Sequence, residues 1–475
     1  MSEQAERLYQ ERLRRYVAAM RNQKPDRVPI RPFVAEFIAK YAGYTNQQVT
    51  HDYESAFKAA RRCAADFGWD AMPGNLVYNW LGVTKAIGWN FYAFPGVELP
   101  VDGVVQYREP PEENAFMKAN EYDLLIKDPT EFLLNVWLPR ITDHIRRPGE
   151  PVTFYHNMAL LNGGMSMLSY WHALARQAEL LRTKTGTVSA ISGLLKAPLD
   201  IIGDRLRGYI GLCIDLVEKP DVVLAACEAL MPHLLHVALS GADPDKNVPI
   251  TIWMHRGCVP CVSREHFDGI YWPTLKPIVE EIWAQGHQVL FYAEGNWDAH
   301  LQSFAELPEA SIIYHVDKGD IFRAHEVLGH RFCVSGGIPN YLLSYGTPDD
   351  VRAYCKTVID GVAQDGGYIM DASAIIQDDT KVENIRAMTD FTREYGVYDQ
   401  SASVTYSNDQ VQRSPKEAKF VVEGKKQKRK PGVCIPWEEK VNEFPKITGN
   451  EQLVRETWES VDGLGYAFIW SSFTW

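Results

Sequence analysis

Nine short runs rich in β-branched and aromatic residues recur between residues 26 and 400, and amphipathic helical stretches separate them. The runs are RVPIRPF (27–33), WDAMPG (69–74), VTFYHN (152–157), GTVSAISG (186–193), VPITIWMHRG (248–257), HQVLFYAEG (287–295), ASIIYHVD (310–317), RFCVSGG (331–337) and GYIMDAS (367–373). Between them lie helical patterns such as 263–286 and 320–329, each closed by a glycine suited to a C-terminal cap. So many strand-helix units predict an α/β fold, a (β/α)8 TIM barrel, rather than an open doubly wound sheet. One run is more than eight strands require. No G-x-G-x-x-G opens a helix after an early strand, which argues against a dinucleotide fold. Residues 1–25 read as an N-terminal helix, 26–400 as the barrel and 401–475 as a C-terminal extension with an aromatic end, GLGYAFIWSSFTW. Such an end needs cover, from the barrel or from a neighbouring subunit in a homodimer.

The net charge of -12 speaks against a nucleic-acid partner, because phosphate binding needs clustered cations. The one basic run, KKQKRK (425–430), reads as a solvated loop or a dock for an acidic partner. No uninterrupted apolar run approaches the ~18 to 20 residues of a membrane span, and the start is a charged amphipathic helix rather than a signal peptide, so a cytoplasmic protein is expected. Eight scattered cysteines suit reduced thiols. His255-x-x-Cys258-x-x-Cys261 invites a metal reading, but a C-x-x-C without a second pair reads better as a reduced thiol pair.

Several stretches, taken in order, carry a family likeness: EYDLLIKDPTEFLLNVWLPR, APLDIIGDRLRGYIGLCIDLVEKPD, FYAEGNWD, HVDKGDIFRAHEVLG and LLSYGTPDDVRAYCKTVIDGV. Over residues 20–400 the chain resembles the uroporphyrinogen decarboxylase superfamily. The resemblance implies a (β/α)8 barrel and one of two chemistries, decarboxylation of uroporphyrinogen or methyl transfer involving corrinoids. The decarboxylases carry M-R-Q-A-G-R after their first strand, where this chain reads RVPIRPFVAEFIAKYAG with only Arg31 close by. The corrinoid branch includes zinc enzymes with His-x-Cys at the end of the fifth strand and a later Cys. Here those places hold Tyr292-x-Glu294 and LLSYGTP, without thiolates. The pattern is most similar to methyltransferases that move a methyl group from a methoxylated aromatic, such as veratrole, to the Co(I) corrinoid of a partner protein.

Barrel active sites lie at the C-terminal strand ends, and alternate strand residues share a face. Tyr292 and Glu294 therefore share one face, as do His315 and Asp317, and Trp253 and His255. Cleaving an aryl methyl ether expels a phenolate of conjugate-acid pKa about 10. Glu294 and Asp317 can assist as a like-charge pair holding a proton, or His255, Glu294 and Asp317 can hold a metal such as zinc as Lewis acid; both remain open. Tyr292 reads as a hydrogen-bond donor to the ether oxygen or as a core tyrosine, and His315, one layer deeper, as catalytic or interior. Tyr78 and Trp80, in the aromatic stretch 75–96, are candidate substrate-binding residues or simple packing. His156, at the end of VTFYHN, is a further candidate for the pocket, and His255 for the substrate. A second linear pattern, Glu294, Glu309 and His330, resembles a zinc spacing, but Glu309 and His330 precede strands six and seven and should lie at the opposite end.

Overall fold

Every residue of ITIWM (Ile250–Met254), VLFYA (Val289–Ala293) and IIYHV (Ile312–Val316) is buried, as expected for parallel strands covered on both faces. The computed structural model describes residues 3–76, 80–110, 112–398 and 429–474. Six strands, Gly193–Lys196, Ile250–Met254, Val289–Ala293, Ile312–Val316, Cys333–Gly336 and Tyr368–Ile369, pair in parallel in that order. The first of these continues a bent strand whose earlier part, Val188–Ser189, pairs with Ala71–Met72. The gap is closed by the segment around Ile30, which bridges Met370 on one side and accepts the Asp70 amide on the other. The result is the expected eight-stranded parallel barrel. In this order the third strand ends at Lys196, the fourth is Ile250–Met254, the fifth Val289–Ala293, the sixth Ile312–Val316, the seventh Cys333–Gly336 and the eighth Tyr368–Ile369.

The surplus run, VTFYHN, is not a strand. Residues 154–157 are the first turn of the 27-residue helix Phe154–Leu180 that precedes strand three. Its apolar run continues through MALLNGGMSML, far beyond strand length, and Phe154 is 79% exposed where a buried strand was expected. The third strand extends past its expected end, and the three added residues finish on Lys196.

Period-two alternation sorts the side chains into two cores. Phe33, Trp253, Leu290, Tyr292, Ile313, Cys333 and Ile369 fill the barrel, with Tyr16, Ala19 and Met20 from the helix Glu3–Met20. That helix sits under the N-terminal strand ends: Gln288, just before strand five, donates to the Met20 carbonyl at 2.9 Å. The intervening residues Ile252, Met254, Phe291, Ala293, Tyr314 and Val316 face the surrounding helices. One of these, Pro220–Ser240, is long and apolar enough to cross a membrane. It is packed in the outer layer, with Leu230 and Leu234 fully buried.

The aromatic end finds its cover within the chain. Helix Glu451–Thr474 lays Tyr466, Trp470 and Phe473 against the barrel's outer layer. Trp470 Nε1 donates to Thr130 Oγ1 at 3.1 Å and its ring stacks on His233 with centroids 4.5 Å apart. Of the basic run, residues 425–428 lie outside the described residues, and Arg429 is paired with Asp128 and Glu131. Replacing a fully buried tryptophan with alanine costs about 3–5 kcal/mol. Trp470→Ala should therefore lower whole-chain stability by that order in urea unfolding, with one cooperative transition, because the tail is packed as part of the barrel.

Candidate functional site

Four strands bring charged side chains to one patch of the C-terminal rim. Strand three ends in Lys196, strand four leads to His255, strand five to Glu294 and strand six to Asp317. In register with Lys196, and below the other three, Trp253, Tyr292, His315 and Ser335 form the next layer down. The centre of the patch is His255. Its Nδ1 lies 2.7 Å from Asp204 Oδ2 and its Nε2 2.9 Å from Glu294 Oε2. Trp253 Nε1 donates to the other oxygen of Glu294 at 3.0 Å, so that carboxylate is held from two sides.

Asp204 lies on the helical turn that follows strand three and is buried. Lys196 Nζ donates to its Oδ2 and Arg256 Nε to its Oδ1, both at 2.7 Å. One turn earlier, Asp200 accepts the Arg256 amide and the Tyr271 hydroxyl. The spacing of four residues on this turn aims both carboxylates at the end of strand four.

These contacts fix the protonation states. Burial pushes the Asp204 carboxyl up, but Lys196, His255 and Arg256 outweigh it and hold it well below the ordinary range. Burial and the Lys196 charge push His255 down, and the carboxylates of Asp204 and Glu294 more than reverse this, raising it to about 9. Glu294 is likewise driven up by burial and brought below its ordinary value by His255, Lys196 and the Trp253 hydrogen bond. The patch is therefore an imidazolium between two carboxylates. With side-chain exposures of 26% for His255 and 32% for Glu294, it faces the barrel mouth.

Of the expected Glu294–Asp317 pair, Asp317 is the carboxyl whose pKa is raised and Glu294 is not. Glu294 is the ionised partner of His255. Asp317 is raised, by burial first and the Glu294 charge as a smaller contribution, and its Oδ2 accepts the Gly295 amide at 2.7 Å. The three-residue metal set does not fit: both His255 nitrogens face carboxylates and Asp317 is turned to backbone. Among the described residues no group of three or more His, Cys, Asp or Glu side chains is arranged to hold a metal ion. Glu309 and His330 are exposed and precede strands six and seven, away from Glu294.

Tyr292 is buried, stacked between Trp253 at 4.2 Å and His315 at 4.4 Å. His315 is an interior residue: its Nε2 donates to the Ser373 carbonyl at 2.9 Å, and Nδ1 faces Arg31 and Ser335. Burial, with Arg31 beside it, keeps this imidazole neutral, well below its ordinary pKa. His156 caps its helix, accepting the Thr153 amide at 3.1 Å. Trp80 packs against Tyr53 and Tyr170 and lines a cavity of about 20 Å³, room for a single water and not for an aromatic ligand. Tyr78 lies outside the described residues. Lys196, Asp204 and Arg256 were not anticipated; the one linear signal was a lysine at the inward-facing end of GLLK.

A closed parallel barrel with a charged cluster at its C-terminal rim has the form of a barrel enzyme. The sequence pattern of the family Uroporphyrinogen decarboxylase (URO-D) matches residues 150–395, more than half of the chain, and the chain belongs to that family. Among solved structures, a methyltransferase from Methanosarcina mazei is similar in fold, with a TM-score of 0.54 and 16% identity over 80% of this chain and 98% of that one. No protein of curated function matches the chain.

The raised His255 has a thermodynamic consequence. A folded-state pKa of about 9 against an ordinary value of 6.5 gives stability that is fully present below pH ~6.5 and lost as the pH rises through about 9. The loss should be on the order of 2 kcal/mol after allowance for solvent screening. Urea unfolding from pH 6 to 10 should show it in the wild type, and His255→Asn should remove that part of the slope.

Proposed function

We propose that the chain is a methyltransferase that cleaves a methoxylated aromatic of the veratrole or guaiacol type and passes the methyl group to the Co(I) corrinoid of a partner protein. The observation that carries this reading is the His255 ring held at the barrel mouth between the Asp204 and Glu294 carboxylates, at 2.7 and 2.9 Å, which raise its pKa to about 9. An acid of that pKa is protonated at neutral pH and slightly stronger than a phenol, about 10, so passing its proton to a departing phenolate oxygen is downhill.

The partner-borne corrinoid supplies the nucleophile for the methyl carbon. His255 Nε2 protonates the departing ether oxygen, and Glu294, beside that nitrogen, orients the ring and steadies its charge. Asp204 holds Nδ1 and sets the direction of the ring, while Lys196 and Arg256 keep Asp204 ionised. The half-buried placement of His255 and Glu294 at the rim suits a group delivered to the barrel mouth by a docking protein. The methyltransferase neighbour in fold adds support to the class of reaction.

Decarboxylation of a carboxylated tetrapyrrole is the competing reading. It needs cations free to meet carboxylates, and the two arginines of the first-strand run are both taken: Arg31 is fully buried against Asp371 at 3.2 Å and Arg27 is paired with Asp70 at 2.9 Å. The test is incubation of the protein with a reduced corrinoid protein and a panel of methoxyarenes, following methylcobalt formation by absorbance. Methyl transfer to cobalt with release of the phenol is expected. Release of carbon dioxide from a tetrapyrrole, with no methyl transfer across the panel, would contradict it. His255→Gln should lower kcat by about 10²–10⁴, with the smallest loss for methoxyarenes whose phenols are most acidic.

A further inference from the structure

The loop after strand four holds two thiols that this chemistry does not use. Cys258 Sγ and Cys261 Sγ lie 3.7 Å apart, and the Cys261 amide donates to the Cys258 carbonyl at 2.8 Å, folding the loop on itself. Cys258 is only 6% exposed, whereas Cys261 is partly exposed, so a reagent in solution meets Cys261 first. The Cys258 hydrogen bond, together with Arg256 and the Tyr209 hydroxyl, holds the Cys261 thiol below its ordinary pKa against the effect of burial. The thiolate is the nucleophile in thiol-disulfide exchange, so Cys261 is the attacking sulfur and Cys258 the resolving one.

The same loop is tied to the site. The Cys258 thiol donates to the His255 carbonyl at 3.1 Å. Its sulfur also rests on the backbone of Gly295: a β-carbon there would come within 2.7 Å of Sγ, at a φ of +97° that only glycine adopts readily. The Val259 amide donates to the Asn296 carbonyl at 3.1 Å. One sulfur thus touches the residues that carry both His255 and Glu294.

We propose that Cys258 and Cys261 form a reversible dithiol-disulfide site at the barrel rim, closed by small organic disulfides, and that closing it loosens the His255–Glu294 pair. The Cys261 thiolate attacks one sulfur of the organic disulfide and expels the first thiolate, leaving a mixed disulfide on Cys261. The Cys258 sulfur then attacks Cys261 and expels the second thiolate, which takes up the Cys258 proton. Two protein thiols are oxidised by two electrons and one disulfide is reduced to two thiols. Bond formation brings the sulfurs about 1.7 Å closer, from 3.7 Å to a disulfide bond length, and withdraws the Cys258 donor from His255. This inference is independent of the methyl-transfer reading.

The test uses the full-length protein in buffers of graded oxidised and reduced glutathione, quenched in acid, alkylated and mapped by mass spectrometry. Two of the eight thiols should be lost together as a Cys258–Cys261 disulfide, and dithiothreitol should restore both. Cys258→Ser should stop at glutathione on Cys261, and Cys261→Ser should take none on Cys258. Hydrogen exchange over residues 289–298 should be faster in the oxidised wild type. A pair that stays reduced in oxidised glutathione alone, a disulfide from Cys261 to any other cysteine instead, or unchanged exchange in protein shown to carry the disulfide would each overturn the proposal.

Discussion

The rim depends on one buried carboxylate. Asp204 receives Lys196, His255 and Arg256, each at 2.7 Å, from the end of strand three and the loop after strand four. Two cations and an imidazole could not be buried together without it, since an unpaired buried charge costs several kcal/mol. Its place on the helical turn after strand three follows from the barrel, because every strand hands its chain to a helix at this face. Asp200, four residues earlier, fastens the same loop through the Arg256 amide. Geometry and protonation state therefore share a cause: the contacts that position His255 also keep it charged.

The layers beneath have a different character. Arg31, His315, Ser335 and Asp371 form a fully buried polar network inside the barrel. There burial and a neighbouring guanidinium keep His315 neutral, whereas one layer higher two carboxylates keep His255 charged. Two histidines one layer of side chains apart thus stand in opposite charge states, set by their immediate partners. Tyr292 and Trp253, in the same layer as His315, stack beside it and fill the rest of that layer with apolar surface.

Much of the fold was legible in the pattern of apolar residues. Runs buried on both faces announce parallel strands, and the inward set Trp253, Tyr292 and His315 follows from period two. VTFYHN misled because six apolar and polar residues are compatible with either element, and only the continuing apolar length identifies a helix. Strand three was cut short at a glycine, which concealed Lys196. His255 and Glu294 could be placed on the rim from their spacing alone. Asp204 could not, because its role comes from a helix after another strand, and no linear pattern distinguishes it from its acidic neighbours. The protonation states were also illegible: a carboxylate beside a carboxylate suggests a raised pKa, but the imidazole on the other side of Glu294 reverses that for Glu294.

The chemistry of the rim turns on His255 being an imidazolium at neutral pH. The direct measurement is a histidine-selective NMR titration of the folded protein, with the His255 resonance assigned through His255→Asn. A titration midpoint near 9 is predicted, falling markedly in Asp204→Asn while the fold persists. A midpoint at or below the ordinary value of about 6.5 would contradict the account, since the rim would then hold no acid matched to a departing phenolate.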